Sequence, residues 1–144
     1  MMRLTATVAA ALAILGGPVA AQNVPAPQGA RLYIIWPKNG QVIEGGKLWL
    51  RMGLRNMGVA PANVKWPDIG HHHVLVDTDL PPPGEPIPND RNNLHFGNGQ
   101  SEARIELPPG RHTLQLVLGD HDHFPFDPPL VSERITVIVP GGER

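Results

Sequence analysis

Imidazole is the chemically versatile group that this sequence concentrates. Seven histidines occur, His71, His72, His73, His95, His112, His121 and His123, against a cysteine count of zero. Neutral imidazole nitrogen suits zinc, copper and nickel at neutral pH, so spacing decides which rings can act together. In a strand, residues two apart share a face, so His71 and His73 can address one ion while His72 points away. His121 and His123 form a second such pair if they are locally extended. In the stretch from His112 the face His112, Leu114, Leu116 and Leu118 looks inward, opposite Thr113 and Gln115, which puts His112 at the rim of a core. Asp120 stands at the other end of that stretch, as a ligand or as the acceptor that orients an imidazole. The expected ligand set is therefore His71, His73, His95, His112 and His123, with His72, His121 and Asp120 as outer candidates, and the expected ion is copper or zinc.

Each residue also has a plainer reading. Three histidines at a strand start can be a hydrated surface feature, His112 can be a core-edge ring bonded to backbone, and His95 in Leu94-His95-Phe96-Gly97 can simply structure its loop. The spacing matches neither a zinc finger nor a His-Glu-x-x-His helix. Ser101 and Ser132 lack the Gly-x-Ser-x-Gly setting of a hydrolase nucleophile. Glu102 and Glu106 share a face with Arg104 and read as solvated, and there is no glycine-rich phosphate loop.

Short strands must carry these rings. Arg31–Trp36 is a β-branched and aromatic run closed by Pro37 and the Asn39-Gly40 turn signal. From Lys47 to Asn56, Leu48, Leu50, Met52 and Leu54 alternate with Trp49, Arg51, Gly53 and Arg55, the period of a half-buried antiparallel strand. Further strands are expected over Gly70–Asp77, Ser101–Leu107, Arg111–Asp120 and Val131–Val139, with Gln41–Ile43 as a short continuation of the first. Met57–Asn63, Pro81–Gly99 and His121–Leu130 read as loops, the second long enough to be functional. No stretch of the mature chain has a helical period, and 17 prolines oppose long helices. Six or seven short strands point to an all-β, immunoglobulin-like antiparallel sandwich, closed by a pair of strands around His112-Thr113-Leu114 and Ile135-Thr136-Val137.

Several blocks in fixed order carry a resemblance: Trp36-Pro37-Lys38-Asn39-Gly40, Met57 to Ala62, Gly70-His71-His72-His73-Val74-Leu75-Val76-Asp77, Ile87-Pro88-Asn89-Asp90, His95-Phe96-Gly97-Asn98-Gly99-Gln100, Pro109-Gly110-Arg111-His112-Thr113-Leu114-Gln115-Leu116, and Gly119-Asp120 with His123. From about Leu32 to Val139 the chain resembles the bacterial domain of unknown function DUF4399. The resemblance implies an exported β-rich domain and no established activity. Its motifs single out His71, His72, His73, His95, His112 and His123, with Gln100 and Asp120 near them; His121 falls outside. Phe126 stands where related chains often carry a further histidine.

The N-terminus predicts export. Arg3 precedes an apolar run to Leu15, Gly16-Gly17-Pro18 breaks it, and Val19-Ala20-Ala21 offers small residues to a signal peptidase, so cleavage is expected after Ala21. The run is short for a membrane span. The expected organisation is a signal peptide over 1–21, a flexible lead-in over 22–30, one β domain over 31–140 and a tail over 141–144. About 120 mature residues suffice for one core. Charges are balanced, 12 basic against 13 acidic, which argues against nucleic acid or anionic lipid as partner. Without disulfides, an exported fold must rest on burial and hydrogen bonds. The leading expectation is a soluble, periplasmic or secreted, non-catalytic metal-binding module, with a metal ion as partner and no membrane insertion of the mature chain. The alternatives are a metal-free structural or protein-interaction domain of the immunoglobulin type, with an unidentified periplasmic protein as its partner in the second case, and, more distantly, a copper–zinc dismutase-like enzyme. A copper oxygenase using its own terminal amine is disfavoured by a mature start at Gln22.

Overall fold

Side-chain alternation builds two sheets that share one core. A computed structural model describes residues 24–141; the expected leader and the tail beyond Gly141 lie outside them. In chain order the described strands are β1 (Arg31–Trp36), β2 (Gln41–Val42), β3 (Lys47–Arg55), β4 (Gly58–Val59), β5 (Ile69–Val76), β6 (Asn93–Phe96), β7 (Glu102–Glu106), β8 (Gly110–Gly119) and β9 (Ile135–Val139), with one 3-10 turn at Glu44–Gly46. β1, β3 and β7 make a three-stranded antiparallel sheet in the order β1-β3-β7. The larger sheet runs β2-β9-β8-β5-β4, with β6 also on β5. β4 and β6 take successive stretches of the same strand: Val59 lies opposite Gly70, and Phe96 to Asn93 lie opposite His72 to Leu75.

The fold is the all-β sandwich that the alternation predicts. Leu48, Leu50 and Met52 of β3 are buried against Val74 and Val76 of β5, Leu114, Leu116 and Leu118 of β8, and Val137 and Val139 of β9. Each such side chain contributes about 1.5–3 kcal/mol by leaving water. Pairing is antiparallel except at two short parallel contacts, β2 with β9 and β4 with β5. The expected closing pair is present, with His112 opposite Val137 and Leu114 opposite Ile135.

Four expectations differ from the structure. The long loop expected over Pro81–Gly99 contains β6, and the loop expected over Met57–Asn63 contains β4. The last strand begins at Ile135, because Val131 and Ser132 instead bond to β8: Ser132 N–H donates to Leu116 O (3.0 Å), and Leu116 N–H donates to Ser132 Oγ (2.9 Å). The described part of the lead-in is held rather than free. Ala26 packs on the core, and Asp127 N–H donates to Val24 O (3.1 Å).

His112 occupies the rim position expected of it and is engaged there. Its Nδ1–H donates to Asp77 Oδ2 (2.6 Å) and its Nε2–H to the Pro108 carbonyl (2.8 Å). Both partners only accept, so the ring carries two protons and a charge. Burial opposes that charge, but the bonds to Asp77 and Pro108 outweigh it and raise the pKa above that of free imidazole. Burial would likewise raise Asp77; the bonds from His112 and from Thr113 N–H reverse this and hold its carboxyl low.

A raised folded-state pKa stabilises fully below the unfolded value, near 6.5, and the contribution fades as pH rises through the folded value. His112→Gln is expected to lower unfolding stability by on the order of 1 kcal/mol at pH 6, discounted for the partly exposed Asp77. The deficit should shrink by pH 9. Urea denaturation of both chains at the two pH values checks this, and a deficit that does not change with pH contradicts it.

Candidate metal centre

β5 is internal to its sheet, with β8 on one edge and β4 and β6 on the other, and is buried from Gly70 to Val76. Its alternation therefore delivers side chains to two covered faces. Val74 and Val76 point into the sandwich core, and by the same alternation so does His72. His71, His73 and Leu75 point to the opposite face, where Leu75 joins Val117 of β8 and Ile87 of the following loop in a second, smaller core. Two loops, after β5 and after β8, roof that outer face: Ile87 N–H donates to His123 O (2.8 Å).

On this roofed face four imidazoles meet. His95 of β6 lies directly opposite His73 in the cross-strand register. His123 comes down from the loop after β8. The ring centroids of His71, His73, His95 and His123 lie 4.7–6.0 Å from one another in all six pairings. One nitrogen each from His71, His95 and His123 falls within 4.8 Å of the other two, the separation of donors that could close on one ion. His73 Nε2 and His71 Nε2 share an N–H···N bond of 2.9 Å. His73 Nδ1 and His95 Nε2 are buried and have no hydrogen-bond partner among the described residues. A buried polar atom left without a partner costs about 1–3 kcal/mol, and a ligand would remove that cost.

Local sequence shapes the space for these rings. A Cβ at Gly119 would come within 2.9 Å of His73 Nε2, and one at Gly97 within 2.6 Å of His95 Nε2, so only glycine leaves room beside each ring. Asp120 orders the turn that carries His123. Its Oδ1 accepts from Asp122 N–H and Phe124 N–H (both 2.9 Å), while His123 N–H donates to Asp120 O (3.1 Å). His123 itself holds a left-handed backbone, φ 70°, a conformation uncommon for a residue with a side chain.

All the cluster rings whose proton affinity is displaced are displaced toward neutrality. Burial, then the neighbouring imidazoles, lower His71 to about 4 and His73 to about 2. Burial, then His123, lowers His95. The rings thus present lone pairs to an ion, in the state that ligation needs.

The sequence profile of a domain of unknown function, DUF4399, matches residues 50–140, more than half of the chain. The chain belongs to that family. The match starts within β3, later than the block at Trp36 leads one to expect, and includes all four clustered histidines of this DUF4399 domain. No curated protein and no solved structure matches the chain.

Of the residues expected at the centre, His71, His73, His95 and His123 come together. His112 does not: it faces the opposite side of the sheet and lies five residues along β8 from Val117, the partner of His73, about 16 Å at strand rise. His72 is separated by strand alternation, and its Nδ1–H donates to Gln100 O (2.9 Å). His121 pairs with Asp122 (3.0 Å) outside the cluster, and Asp120 serves backbone amides. Phe126, in place of a histidine, fills the main core. Sequence reasoning missed Gly97 and Gly119 as the residues that clear space, although both stand in the His95-Phe96-Gly97 and Gly119-Asp120 blocks.

A buried histidine kept neutral stabilises above the unfolded pKa, and the contribution is lost as pH falls from about 6.5 toward the folded value. The metal-free chain should therefore lose stability on acidification from pH 6.5 to 4.5, by up to about 1.4 kcal/mol per pH unit for each such ring. His73→Leu should make that acid limb shallower by about one proton's worth. Denaturation midpoints across this range provide the check; an equal slope in both chains contradicts the assignment.

Proposed function

We propose that this DUF4399 domain is an exported, non-catalytic module that holds one transition-metal ion, copper or zinc. One observation carries the reading: imidazoles from β5, β6 and the loop after β8 converge under a loop roof, two of them with buried, unpartnered nitrogens. The ligands are His71, His95 and His123, and His73 is bonded to His71. The apolar leader with its small-residue cleavage signal supports export to the periplasm or beyond.

A second reading, an interaction domain for another exported protein, draws on two exposed aromatics. Trp66 is 73% exposed beside Val64 on a loop next to His121, and Trp49 is 51% exposed with Arg104 stacked 5.3 Å from its ring. Exposed aromatics of this size mark interaction surfaces. The two readings are compatible, since neither tryptophan belongs to the imidazole cluster.

Titration calorimetry on the tag-free mature chain is expected to show one copper or zinc site tighter than about micromolar, roughly −8 kcal/mol. His71→Ala with His95→Ala should abolish it, and His112→Gln should leave it intact. Absence of binding at that level removes the metal reading. Asp120→Ala should weaken binding about tenfold or more by freeing the turn that holds His123, and Asp120→Asn, which keeps an acceptor oxygen, should restore most of the loss. Equal affinity in the alanine variant would show that Asp120 does not position His123.

A further inference from the structure

Imidazole as a donor admits zinc and either oxidation state of copper, so ligand type leaves the ion open and charge must discriminate. Asp77, Asp120 and Asp122, which flank the histidine-bearing segments in the chain, are engaged with other groups. Asp120 accepts from two backbone amides, Asp122 pairs with His121, and Asp77 pairs with His112. Among the described residues no carboxylate joins the converging donors, and none accepts a hydrogen bond from His71, His73, His95 or His123. No donor carries a formal negative charge, so a bound ion keeps its full charge in a place where His71 and His73 are at most 1% exposed and His95 and His123 are half-buried.

Resting on the metal reading above, we propose that the centre takes copper as the monovalent ion, Cu(I), in preference to Cu(II) or Zn(II). The free energy of moving an ion out of water rises with the square of its charge, so a dication is penalised about four times as heavily as a monocation in the same surroundings. Three neutral imidazoles hold Zn(II) where the ion keeps a water or hydroxide in an open position; without such an anion that difference stands. Coordination number points the same way. Three nitrogens converge while the fourth ring is bonded to His71, and three donors satisfy the filled d shell of Cu(I). Structural zinc sites are closed by four ligands, commonly with thiolates that cancel charge. The roof over the face, with Ile87 bonded to the His123 backbone and Leu75 and Val117 beneath, covers the apolar side of the site, while His95 and His123 stay partly exposed.

The test compares the three ions on the tag-free mature chain. Cu(I) is titrated anaerobically against bicinchoninate, Cu(II) and Zn(II) against chelators of known affinity, and the potential of the copper-loaded chain is measured. Cu(I) is expected to bind at least tenfold more tightly than Cu(II), which places the bound couple at least about 59 mV above the aqueous couple. His95→Asp, at a partly exposed position, supplies the missing anion and is expected to lower that potential and strengthen Zn(II) relative to Cu(I). A copper site whose potential lies at or below the aqueous couple, or a Zn(II) affinity above that for Cu(I), overturns this inference and leaves the metal reading standing. A potential unmoved in His95→Asp also overturns it. Failure of all three ions to bind removes both.

Discussion

A strand buried on both faces is the constraint from which the rest of this structure follows. β5 pairs along both edges and is covered by the sandwich core on one side and by two loops on the other. Such a strand is ordinarily apolar on both faces, yet here three consecutive histidines open it. Burying imidazole is tolerable when the ring is uncharged and its nitrogens find partners. His72 finds the Gln100 carbonyl, and His71 and His73 find each other, but the pairing is incomplete. The roof loops, the glycines that clear ring space and the turn around Asp120 are all arranged about that incompletely satisfied patch. Unpaired donor atoms with room cleared beside them are the feature that the proposed ion would complete.

The same residue type takes opposite protonation states within one domain, and partner chemistry decides which. His112 meets a carboxylate and a carbonyl, both acceptors, and holds its charge. His71, His73 and His95 meet other imidazoles and apolar side chains, so burial and mutual repulsion keep them neutral. One histidine therefore fastens the strand end at β8 while the others stay available as lone-pair donors. The two arrangements lie on opposite faces of the larger sheet, which keeps the charge of His112 and Asp77 away from the cluster.

Much of the framework was legible because strand periodicity is a local property. The alternation of Leu48, Leu50 and Met52, and of Leu114, Leu116 and Leu118, named the core faces correctly, and His71-x-His73 named two rings on one side. β6 was hidden because four residues between turn-forming asparagines carry too little alternation to stand out, although Leu94 and Phe96 flank His95 as a strand requires. His112 looked like a ligand because it lies in a histidine-bearing block and points inward. Inward along β8 is the sandwich core, and inward along β5 for His71 and His73 is the roofed outer face; a single chain read in one dimension does not distinguish two interiors.

By itself, then, the sequence determined the class of fold, the two longer strands that carry histidine, β5 and β8, and the pairing of faces within each, since these depend on residues a few positions apart. Which histidines meet was decided only in the tertiary structure. β6 docks on β5 in the register that sets His95 against His73, and the turn after Gly119 brings His123 over them. That convergence depends on the order of strands in the sheet and on the paths of two long loops. Those follow from the burial of the whole chain, which no local pattern encodes.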